Sequence, residues 1–106
     1  MDEDLFYALI NELASEYRPN DLRSNDNIDC EAYCKLLEMG AQSFRRLSDF
    51  YGNESFSNER YLMVRTHDIP RLISEVMGKK FIFPKSYEGL DEKIEAFTVG
   101  WLNGYL

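Results

Sequence analysis

The feature that most constrains this chain is a run in which Cys30, Tyr33, Leu37, Gly40, Phe44, Leu47 and Tyr51 alternate steps of three and four residues. That spacing lines apolar groups along one stripe of an α-helix and cannot do so on a strand. Leu36 and Phe50 widen the stripe. The pattern predicts a helix from near Asp29 to Gly52, about six turns long. Gly40 would then lie on the buried seam, where the lack of a side chain lets another helix come close. A glycine inside a helix costs about 1 kcal/mol relative to alanine. The competing arrangement is a break at Gly40 into two shorter helices.

A helix with one apolar stripe needs partners, and the rest of the chain supplies them. The opening stretch "DEDLFYALINELASEY" sets Leu5, Phe6, Leu9, Ile10, Leu13 and Tyr17 at helical spacing. Asp2, Glu3 and Asp4 fall in its first turn, where the helix dipole favours negative charge. Pro19 ends it. "HDIPRLISEVMGKK" predicts another helix, with Asp68 as a cap, Pro70 in the first turn and Gly78 closing it. A last helix, from about Ser86 or Leu90 to Leu102, sets Leu90, Ile94, Phe97, Trp101 and Leu102 on one face. Two short segments, Tyr61–Arg65 and Lys80–Phe83, are rich in strand formers and able to pair as a two-stranded ribbon.

The fold class expected is therefore mainly α: a single compact domain spanning residues 1–106, with about four amphipathic helices and that ribbon. The 106 residues suffice for one core and not two. An apolar share of 44% with seven Phe and seven Tyr against only three Pro excludes a disordered chain. No apolar run is long enough to cross a bilayer, and the acidic first residues are unlike a secretory signal, so a soluble, cytoplasmic protein is expected. Cys30 and Cys34, one turn apart, are poorly placed to bridge. They read as small apolar core residues in a reducing compartment.

The search for chemistry excludes more than it finds. The one histidine, His67, adjoins Asp68, but no Gly-x-Ser-x-Gly elbow or comparable frame accompanies them. Cys30, Cys34 and His67 lack both a fourth ligand and the short knuckle of a structural zinc site. In "RPNDLRSNDNIDCE", Asn25, Asn27 and Asp29 alternate as calcium ligands do. The sixth position of that loop holds no glycine, however, and the twelfth would be Leu36 in place of a bidentate glutamate. The six glycines are scattered singly, so no phosphate-cradling loop exists. Pairs such as Glu12 with Glu16, or Glu92 with Glu95, share helix faces as solvated acids usually do. No catalytic, cofactor or metal residues are assigned, and no enzyme activity is expected.

Charge carries the remaining signal. The net charge of −7 is unevenly spread: residues 1–34 hold nine acids and two bases, residues 35–85 six acids and nine bases, and residues 86–106 four acids and one base. An acidic surface repels nucleic-acid phosphates and anionic lipids, so neither nucleic acid nor membrane is an expected partner. A basic protein is favoured instead. The candidate contact residues are Asp4, Glu12, Glu16, Asp21, Asp26, Asp29 and Glu31, gathered if the first two helices pack against each other. The expectation is a non-enzymatic acidic binding protein that covers a basic, nucleic-acid-binding surface of its target. It is like immunity proteins or phage anti-defence proteins in kind, with no motif of a particular family. A different class is a homo-oligomeric module, a homodimer being one form, or an adaptor, in which Phe50, Tyr51, Phe56, Phe81, Phe83, Tyr87, Trp101 and Tyr105 supply an exposed apolar contact surface.

Overall fold

The computed structural model describes residues 3–15, 31–87 and 89–106. Helix α1 spans Glu3–Ser15 and buries Phe6, Leu9, Ile10, Leu13 and Ala14. Leu5, at 45% exposure, falls off the expected stripe. Helix α2, Glu31–Met39, buries Ala32, Tyr33 and Leu36. It stops where Gly40 adopts φ +57°, and a 3₁₀ turn over Gly40–Ser43 leads into α3, Phe44–Gly52.

The continuous six-turn helix is therefore divided at Gly40. An added Cβ there would meet nothing within 4 Å, so the glycine serves the left-handed backbone and not a close helix contact. The break also rephases the stripe. Leu36 and Phe50, read as its margins, are fully buried, while Leu37 and Tyr51 are only partly so. Cys34 is exposed and is not a core residue; Cys30 lies outside the described residues.

The ribbon does not form. Residues 59–61 make a 3₁₀ turn, and the helical path then runs on through a π turn at Val64–Asp68 into α4, Ile69–Met77. Lys80 closes a 3₁₀ turn, and the extended backbone begins only at Phe81, before a further 3₁₀ turn at Lys85–Tyr87. Burial explains the outcome: Tyr61, Val64, Arg65 and Thr66 are all buried, and helical spacing alone turns them together into the core. Asp68 is helical and makes no capping bond, because the helix began before it.

The π turn follows from Pro70. Its ring would clash with the carbonyl four residues back, and it has no N–H to give. The ladder widens ahead of it, so the Ile69 N–H reaches the Val64 carbonyl. The Arg65 carbonyl is thereby stranded: its usual donor is taken, and the next residue is the proline. The Tyr51 hydroxyl donates to it at 2.6 Å.

Helix α5, Asp91–Tyr105, completes the domain. Its buried seam is Thr98 and Leu102 with Ile94 partly covered, one step round from the face expected, which leaves Leu90 exposed. α1 packs on α2 and on the π turn, α2 on α4, and α3 on α5. Phe6, Ile10, Leu13, Leu36, Phe44, Leu47, Phe50, Val64, Ile69, Ile73 and Leu102 form one fully buried core. The radius of gyration is 12.8 Å, as expected of one compact domain of this length, about 13 Å. No helix among the described residues is long and apolar enough to cross a membrane.

Candidate functional site

Two surfaces and one buried polar cluster come forward. The first surface is the α1–α2 pair. Between them these helices carry Glu3, Asp4, Glu12, Glu31 and Glu38 against the single base Lys35. Glu12 is exposed, and its backbone carbonyl accepts from Ser15 Oγ at 2.6 Å. Glu31 opens α2 with its side chain 76% exposed, and one carboxylate oxygen lies 3.2 Å from Lys35 Nζ. An i,i+4 pair so exposed contributes only a few tenths of a kcal/mol and leaves the carboxylate largely solvated. Asp4 lies in the first turn of α1, and its side chain is outside what the structure describes. Glu16, Asp21, Asp26 and Asp29 also lie outside the described residues. The structure thus brings Glu12 and Glu31 onto two helices that pack together.

The buried cluster centres on Arg65. Its Nη1 lies 2.6 Å from Glu95 Oε1, and its Nη2 donates to the carbonyls of Ser57 at 3.2 Å and Asn58 at 3.4 Å. One guanidinium therefore joins the π turn, the 3₁₀ connector and α5. The fork geometry of arginine makes this possible, since a lysine ammonium could not serve three acceptors in one plane. Burial pushes the nearby Tyr51 hydroxyl well above the ordinary tyrosine range, and Glu95 adds to the shift. Such a hydroxyl stays protonated and acts as a donor to backbone. Other polar tips are tied in the same way: Tyr61 donates to Asn11 Oδ1 at 2.6 Å and Tyr33 to Glu75 Oε2 at 2.5 Å.

The described contacts of that cluster run to backbone carbonyls and to Glu95. His67 is half-buried, and burial lowers its pKa from the usual 6.5 while Asp91 opposes the shift. Neutral and set in the π turn, it has no nucleophile hydrogen-bonded to it among the contacts described. No group of three or more His, Cys, Asp or Glu suited to a metal ion occurs among the described residues.

The second surface takes in Trp101 and Tyr105, two of the aromatics expected at an apolar contact, in a groove that the sequence did not single out. A groove of about 400 Å³ lies between the end of α4 and the last turns of α5, lined by Met77, Lys80, Gly100, Trp101, Gly104 and Tyr105. Trp101 and Tyr105 stack with ring centroids 5.2 Å apart, and Trp101 Nε1 donates to the Lys80 carbonyl at 3.0 Å. Of the aromatics expected at an apolar contact, Phe50 and Phe81 are buried. Tyr51, Phe56, Phe83, Tyr87 and Trp101 are partly covered, and Tyr105 is exposed. The signal for the groove was present as Gly100 and Gly104, one turn apart on a helix, but spacing alone does not distinguish an open glycine face from a packed one.

No protein-family model matches the chain, and neither does any curated protein or solved structure.

Proposed function

We propose that this chain is a non-enzymatic binding protein that attaches through its acidic N-terminal third to a basic surface of another protein and blocks it. The observation that carries this reading is the charge of the α1–α2 pair, five acids and one base on two helices in contact, continued in sequence by Glu16, Asp21, Asp26 and Asp29. A concentrated negative field accelerates encounter with a positive patch and discourages binding to phosphates. The partner class that fits is a protein whose own work requires a basic face, such as a nuclease or another nucleic-acid binder. Covering that face would neutralise it without chemistry, which agrees with a buried polar cluster whose hydrogen bonds go to structure.

The test is affinity capture from the native host lysate at low salt, followed by mass spectrometry. The expected result is a basic protein that is lost as salt rises and lost when Glu12, Asp21, Asp26 and Asp29 are changed to Lys, with a cooperative thermal transition retained. Capture that survives both changes would remove the acidic region as the contact.

A further inference from the structure

We draw no further inference here: the strongest candidate, the apolar groove between the end of α4 and the last turns of α5, where Gly100 and Gly104 lie open beside Trp101 and Tyr105, carries none because nothing in the structure shows what covers it.

Discussion

A single hydroxyl carries much of the strain of accommodating Pro70. The Tyr51 O–H is the donor that the Arg65 carbonyl receives in place of a ladder N–H, so Tyr51→Phe leaves a buried acceptor unpaired. That change is expected to cost about 1–3 kcal/mol, read from urea unfolding, whereas removing the hydroxyl of an exposed tyrosine costs far less. Tyr51 also sets a limit on alkaline stability. A hydroxyl whose folded pKa lies well above the unfolded value of 10.0 keeps its proton when the unfolded chain loses one. Stability is therefore full below pH 10 and declines above it. Ultraviolet titration of the tyrosinates should show Tyr51, and Tyr33, whose hydroxyl is likewise raised mainly by burial, ionising only as the fold is lost. His67 acts at the other end of the scale. Its folded pKa is below 6.5, so the unfolded chain binds more protons and stability falls as pH drops below about 6.5. His67→Gln should flatten that part of the profile in thermal melts between pH 5 and 7. None of these roles was legible in sequence. Arg65 stood at the end of an expected strand and Tyr51 in an apolar stripe, and partners 14 and 30 residues away cannot be read from spacing.

Helix positions were legible wherever apolar spacing was long and regular, as in α1 and α4, and in α1 so was the buried face of Phe6, Leu9, Ile10 and Leu13; around Gly40 and in α5 the phase was not. Gly40 illustrates the reason. Six turns of uninterrupted stripe favour one helix, but a glycine can continue a helix or end it in the left-handed region, and the choice depends on where α3 must pack. With φ at +57°, Gly40→Ala is expected to destabilise by about 1–2 kcal/mol, the cost of placing a Cβ there. Had the glycine been needed for a close helix contact, the cost would instead come from a clash, and the open space around it excludes that. Residues 60–66 misled for a different cause: Tyr, Val and Thr favour strands by local preference, yet burial of Tyr61, Val64, Arg65 and Thr66 overrides it. The coupling between Pro70 and Tyr51 can be measured directly. In a Pro70→Ala background the new N–H is able to serve the stranded carbonyl, so Tyr51→Phe should cost less there than in the wild type. The shortfall is expected to be about 0.5–3 kcal/mol, the range of such coupling energies. Equal costs in the two backgrounds would mean that the π turn is set by something other than the proline.

At the level of the whole molecule, the question is whether like charges crowd together or alternate with their opposites, because both the stability and the proposed function depend on it. Residues 1–34 alone sum to −7, the charge of the entire chain, and the nearest bases in sequence are few. Repulsion within such a region opposes folding and is relieved by salt, since the Debye length falls to about 8 Å near physiological ionic strength. Attraction in the pair described in the interior, Arg65 with Glu95, is little screened because Arg65 is only 10% exposed. The two effects do not cancel, and salt should stabilise. The expected gain on moving from dilute buffer to moderate sodium chloride is about 0.5 kcal/mol, which for a domain near 100 residues raises the midpoint by roughly 2–4 °C. Glu12→Gln should shrink that rise, because it removes one exposed member of the crowded set and leaves the core untouched. A midpoint that falls with salt would mean that attractive pairs dominate the surface. The acids would then be interspersed with arginines and lysines, and no anionic face would remain for a basic partner to meet.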